Sequence, residues 1–87
     1  MPPQTQHLNK LTDQNLIEKN FLILGAGGVT PSLVYALNKK KIKKVFISNR
    51  TLQKAENIKT KFPFVEIVPW AKMYQKSKEA DVIINAT

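Results

Sequence analysis

Four apolar residues, Phe21-Leu22-Ile23-Leu24, run straight into Gly25-Ala26-Gly27-Gly28, and this junction narrows what the chain can fold into more than any other feature. An apolar run without alternation suits a strand covered on both faces, the usual condition in a parallel sheet. Glycines at its end mark a backbone that turns sharply or approaches another group closely. Helical spacing follows, with Leu33, Val34 and Leu37 on one face and Ala36 beside it. Pro31 fits such a helix only in its first turn, where a missing N–H has no partner to lose. The helix is expected to end in Lys39-Lys40-Lys41, whose charges suit the negative end of its dipole.

The same alternation continues to the end of the chain. Val45-Phe46-Ile47 reads as a second strand, and Leu52, Ala55, Ile58 and Phe62 as one face of a second helix with Thr51 as its N-cap. Pro63 closes that helix, Phe64 to Val68 is a third strand, and Pro69 ends it. Ala71 to Glu79 is predicted as a short helix with Met73 and Tyr74 inward, and Asp81 to Asn85 as a fourth strand. Strand and helix in turn imply right-handed crossovers and a parallel sheet. The predicted fold is therefore α/β: the first half of a doubly wound Rossmann-type sheet of about four strands, in the order 3-2-1-4. Residues 1–19 are predicted as a polar lead-in, partly flexible, with a helical turn beginning near Thr12 or Asp13, and residues 20–87 as the α/β domain.

Length and composition exclude several other classes. A chain of 87 residues makes one small domain and buries only about 60–65% of the surface that it exposes when unfolded. No apolar run approaches the roughly 20 residues that span a bilayer. The opening Met1-Pro2-Pro3-Gln4-Thr5-Gln6-His7 lacks the order of a secretory leader. Absent cysteines exclude disulfides and thiolate metal sites, and one histidine with few carboxylates makes no metal site expected. A cytoplasmic protein without membrane contact is the expectation. The net charge of +8 is concentrated between Lys39 and Lys61, where eight lysines and Arg50 face only Glu56. Such a cluster suits nucleic acid, an anionic membrane surface or a phosphorylated small molecule, against the alternative of a plain solvated surface. Phe46 is the only aromatic among these cations and falls in a predicted buried strand, so no stacking platform for nucleic acid is expected.

Gly25-Ala26-Gly27-Gly28-Val29-Thr30 stands where a dinucleotide fingerprint stands, between a buried strand and the next helix. Gly25 would permit the tight turn, Gly27 would let backbone approach a pyrophosphate, and the helix N-terminus would face the phosphates. Thr30 takes the third position, usually Gly or Ala. A glycine-rich turn that binds nothing is the plain alternative. After the second strand comes Ser48-Asn49-Arg50-Thr51, without the acid that holds a ribose 2′-hydroxyl in NAD-binding domains. A carboxylate there would repel a 2′-phosphate, whereas a guanidinium pairs with it through two hydrogen bonds. Thr51 adds a hydroxyl and Lys54, one turn on, a further charge. The pattern selects NADP over NAD, against the alternative of solvated cations beside a helix cap.

Leu22-Ile23-Leu24-Gly25-Ala26-Gly27-Gly28, Asn49-Arg50-Thr51 with Lys54-Ala55, and Ile83-Ile84-Asn85-Ala86-Thr87 together resemble the cofactor domain of the shikimate dehydrogenase family. The resemblance runs from about Asn20 to Thr87. It implies an oxidoreductase part that binds NADP(H), in an enzyme reducing 3-dehydroshikimate to shikimate on the route to aromatic amino acids. It further implies that Gly25, Ala26, Gly27, Gly28 and Val29 line the diphosphate site. Asn49, Arg50, Thr51 and Lys54 would hold the 2′-phosphate, and Asn85, Ala86 and Thr87 would lie toward the nicotinamide. The family's catalytic lysine and aspartate belong to a separate substrate domain that nothing here matches, so no catalytic residue is expected, and the chain is expected to be an incomplete, inactive piece. Thr30-Pro31 departs from the small and often basic residues of the family. The related cofactor domain of glutamyl-tRNA reductase is an alternative, although it typically carries an acid at the position of Gly28 and Ser-Ala-Thr in the last block. A basic nucleic-acid-binding α/β module is another. An unpaired sheet edge and a thin core favour self-association.

Overall fold

The computed structural model describes residues 16–86. β1 (Asn20–Leu24) leads through the glycines to α1 (Thr30–Lys39), followed by β2 (Lys44–Ser48), α2 (Leu52–Lys61) and β3 (Glu66–Ile67). A 3-10 turn (Trp70–Lys72), α3 (Met73–Glu79) and β4 (Val82–Asn85) complete the order. The four strands form one parallel sheet in the order β3-β2-β1-β4, as the alternation predicts.

Register decides which residues share a face, because side chains alternate along each strand. Phe21 and Ile23 of β1 pair with Val45 and Ile47 of β2 and with Val82 and Ile84 of β4. This face carries the main core, packed with Val34 and Leu37 of α1, Ala55 and Ile58 of α2, and Val65. On the opposite face Leu22 aligns with Phe46 and Ile83. Lys76 of α3 lies 3.8 Å from the Phe46 ring centroid, so α3 covers part of that face. Leu22 is fully buried, while Ile83 at the edge stays 48% exposed. Leu16 and Ile17, within the predicted lead-in, pack against the core. The helical turn expected near Thr12 or Asp13 lies outside the described residues.

Three local expectations change. β3 is confined to Glu66–Ile67 rather than Phe64 to Val68. Val65 N–H bonds back to the Phe62 carbonyl at 3.0 Å, and the Lys59 ammonium donates to the carbonyls of Pro63 and Val65, which diverts this stretch from the ladder. Val68 N–H still reaches the Ile47 carbonyl at 2.8 Å, and Pro69 has no N–H to continue. Secondly, Tyr74 is 68% exposed, not inward. The 3-10 turn at Trp70–Lys72 shifts the helical phase, so that Met73, Lys76 and Ser77 are the half-buried positions of α3. Thirdly, Thr51 occupies the N-cap of α2 as expected, but its hydroxyl makes no capping hydrogen bond, and Leu52 is exposed.

α1 ends in a turn that sequence spacing alone does not reveal. Ile42 N–H bonds to the Leu37 carbonyl at 3.1 Å and Lys41 N–H to the Asn38 carbonyl at 2.9 Å. This is the paired pattern of a Schellman turn, with Ile42 and Leu37 both buried at its apolar contact. The position that glycine usually takes is Lys41, at φ 63°. A left-handed side-chain-bearing residue costs about 1–2 kcal/mol, and glycine loses about 0.5–1 kcal/mol through its freedom when unfolded. Lys41→Gly is therefore expected to stabilise the chain by about 0.5–1 kcal/mol, read as a raised midpoint in urea denaturation with an unchanged slope.

Candidate nucleotide-binding site

The parallel register brings Leu24, Ser48 and Asn85 level at one end of the sheet, and the loops after them define the site. Gly25 turns the chain at φ 114°, a conformation closed to most side chains. Its N–H reaches the Ser48 carbonyl at 2.8 Å, and Ala86 N–H reaches the Leu24 carbonyl at 2.8 Å. The glycine turn is thus bonded to the end of β2, and β1 is bonded onward to the residue after β4. A Cβ at Gly27 would stand 3.7 Å from the Ala86 carbonyl oxygen, an ordinary contact, and one at Gly28 would meet open space. The fold itself therefore does not require glycine at either position on steric grounds.

Gly27, Gly28 and Val29 are exposed ahead of α1, whose positive dipole end faces the same side. Pro31 sits in the first turn as expected, and Thr30 N–H is occupied by the Gly27 carbonyl at 3.1 Å. Thr30 is 0% exposed, and its hydroxyl has no hydrogen-bond partner. The departure from the usual small residue at this position thus places a polar atom at the root of the helix start.

After β2, the Asn49 amide donates to the Thr51 carbonyl at 2.9 Å, which folds the loop and leaves Arg50 projecting. A cleft of about 470 Å³ gathers Leu24, Asn49, Arg50, Thr51, Lys54, Trp70 and Asn85. A second hollow of about 360 Å³ gathers Ala26, Gly27, Gly28, Pro31, Lys54, Asn57, Ile58 and Lys61. Lys54 lines both. The structure therefore brings together Asn49, Arg50, Thr51, Lys54 and Asn85, and sets Ala26, Gly27 and Gly28 beside the same lysine. Gly25 acts through the turn, Val29 is exposed and lines neither hollow, and the Ala86 carbonyl lies beside Gly27. Thr87 lies outside the described residues.

Trp70, Leu24, Asn57 and Lys61 are additions that sequence reading passed over. Two of them had a signal. Asn57 and Lys61 follow Lys54 at helical spacing.

Charge separates the two ends of the sheet. No carboxylate lines either hollow at the carboxyl end, among the described residues. At the amino end, Lys43, Lys44 and Lys76 are interleaved with Glu66 and Glu79 around a hollow of about 240 Å³, and Lys76 pairs with Glu79 at 3.7 Å. An anion gains from uncompensated cations and a helix start, so the carboxyl end is the favoured side. No group of three or more His, Cys, Asp or Glu side chains is placed to hold a metal, and no helix is long and apolar enough to cross a membrane, among the described residues.

A profile of the Shikimate / quinate 5-dehydrogenase family matches residues 7–87. The chain belongs to that family. It is 47% identical over 76 residues to a shikimate dehydrogenase (NADP(+)) of Pelagibacter ubique, covering 87% of this chain and 27% of that one. It is also 45% identical over 73 residues to a glutamyl-tRNA reductase of Fusobacterium nucleatum, covering 84% of this chain and 22% of that one. Among solved structures, the shikimate dehydrogenase of Aquifex aeolicus superposes with a TM-score of 0.74 at 36% identity, over 95% of this chain and 30% of the other. The chain thus spans about a quarter of the length of the curated relatives it matches. The neighbours are dehydrogenase and reductase domains, in keeping with the α/β order read from the sequence.

The two ends of the glycine loop respond differently to a methyl group. Gly25→Ala is expected to lower stability by about 1–3 kcal/mol, because φ 114° lies beyond the left-handed well that an alanine can enter. Gly28→Ala, facing open space, is expected to change stability by less than about 1 kcal/mol. Urea denaturation of both variants measures the contrast.

Proposed function

We propose that this chain forms the NADP-binding part of a shikimate dehydrogenase, and that the intact enzyme interconverts 3-dehydroshikimate and shikimate. The observation that carries the reading is the cleft at the end of β2, where Arg50 and Lys54 stand with Asn49 and Thr51 and no carboxylate lines the wall. The donor set fits a nucleotide with a 2′-phosphate. Arg50 offers a two-pronged charged donor and Lys54 a point charge. Gly27, Gly28 and Val29 would present backbone N–H groups to the diphosphate at the start of α1, and the unpartnered Thr30 hydroxyl is a buried donor at the same place. Asn85, Ala86 and Thr87 would lie toward the nicotinamide, beside the end of β4. NADPH, when bound, supplies the hydride for the reduction.

This chain's residues would fix the dinucleotide across the ends of the strands and shield one of its sides. The groups that bind substrate and move its proton would come from the part of the relatives that this chain does not span. On this reading residues 20–87 are the cofactor domain, the setting is cytoplasmic, and the isolated chain is inactive. The 45% identity to a glutamyl-tRNA reductase supports a second reading, the cofactor part of an enzyme of that kind. Gly28 and Asn85 favour the first. Neither reading assigns nucleic-acid binding to the lysines at the amino end, where carboxylates offset them.

Replacing Arg50 with Asp is expected to weaken NADP(H) binding by about 1.5–3 kcal/mol, the scale of a charged hydrogen bond, and NAD(H) binding much less. Calorimetric titration of both cofactors reads this directly. Equal losses for the two would remove Arg50 from the 2′-phosphate site.

A further inference from the structure

Phosphate chemistry accounts for the cations of the cleft but leaves its apolar wall unused. That wall is Leu24 and Trp70. Trp70 is the chain's single tryptophan, and it comes from the 3-10 turn after β3. We propose that the Trp70 indole is the platform on which the adenine base of the nucleotide stacks, making it a specificity-determining residue for a purine nucleotide over a bare phosphate. The inference rests on the cofactor reading above.

Three observations converge on it. Trp70 is held in place, since Val68 N–H is bonded to the Ile47 carbonyl and Lys72 N–H to the Pro69 carbonyl, each at 2.8 Å. The ring is half-buried and faces the cleft. Arg50 Cζ stands 5.8 Å from the ring centroid, near the outer limit of about 6 Å for a cation over an aromatic face. The guanidinium therefore rests over the indole without closing against it. A flat base between two planes needs about 7 Å, twice a contact distance of about 3.5 Å. Arg50 is exposed, so its long side chain can yield the further ~1 Å required by that spacing. The base would then lie between indole and guanidinium, while the guanidinium edge stays turned to the ribose phosphate. A purine has the π-face such a platform needs, and an inorganic phosphate or pyrophosphate has none.

The test uses the whole chain and two probes, adenosine 2′,5′-bisphosphate and pyrophosphate. With one tryptophan, fluorescence excited at the red edge, where tyrosine does not absorb, reports the platform alone. The bisphosphate is expected to quench it on binding, and pyrophosphate at matched occupancy to leave it nearly unchanged. By calorimetry, Trp70→Ala should weaken the bisphosphate about five- to a hundredfold, the scale of one stacked base, and leave pyrophosphate within about twofold. Trp70→Phe should restore most of the affinity. Unchanged bisphosphate affinity in Trp70→Ala, or silent fluorescence, overturns the platform while leaving the 2′-phosphate reading intact. Equal losses for both probes would mark damage to the fold and also overturn it. If the wild-type chain binds the bisphosphate no better than adenosine 5′-phosphate, the cofactor reading fails and the platform falls with it.

Discussion

The parallel pairing of β1 with β2 on one side and β4 on the other is the constraint on which the rest depends. Leu22 and Ile23 are fully buried, so this strand cannot slip by a residue without exchanging the contents of its two faces. Because Leu24 is level with both Ser48 and Asn85, the ends of three strands are fixed together, and so are the loops that leave them. The ladder does not stop at the strand ends. Gly25 N–H to Ser48 and Ala86 N–H to Leu24 carry it into the candidate site, where it sets the glycine turn against both neighbours. At the opposite end, Asn20 N–H donates to the Asp81 carboxylate at 2.7 Å, and Asp81 N–H donates to the Asn20 carbonyl at 2.8 Å. β4 is thereby tied at its start as well as its finish.

How much of this was legible follows from which forces act locally. β1 and both longer helices were readable because apolar periodicity and the placement of Gly25, Pro31 and Thr51 point the same way. The strand order followed from the doubly wound pattern that strand–helix alternation with a glycine turn after the first strand implies, and not from any one residue. β3 was over-read, because Phe64 and Val65 look like strand residues while Lys59, six residues earlier, draws the Val65 carbonyl away. The orientation of Tyr74 was missed because phase in α3 is set by the 3-10 turn before it, and a helix of seven residues has too few apolar positions to override that. Within the site, glycine and cation positions were visible as motifs. Trp70 was not, since its relevance arises only when the loop after β3 is brought beside Arg50.

The two glycine positions carry different physical content. Gly25 is demanded by the backbone, with its positive φ. Gly27 and Gly28 have room for a methyl group within the chain itself. The backbone at these two positions is therefore open on its outer side, so a group approaching the loop from solvent meets no side chain there. This argument is independent of charge and leads to the same end of the sheet as the cations do.

Asn49 adds a constraint on how the cleft could discriminate between cofactors. Its amide donates to the Thr51 carbonyl, a bond that a carboxylate at position 49 could not make, because an ionised acid only accepts. An acid there would lose the bond that folds the loop as well as reverse the charge beside Arg50. Loop shape and cleft charge are therefore set by the same side chain. On the NADP reading, the choice of amide does two things at once: it shapes the turn that projects Arg50, and it keeps the wall free of a negative charge that would oppose a 2′-phosphate. A change of cofactor preference in this chain would consequently need a rebuilt turn, and reversing the charge of Arg50 alone would weaken one cofactor without creating the hydrogen-bonding geometry for the other.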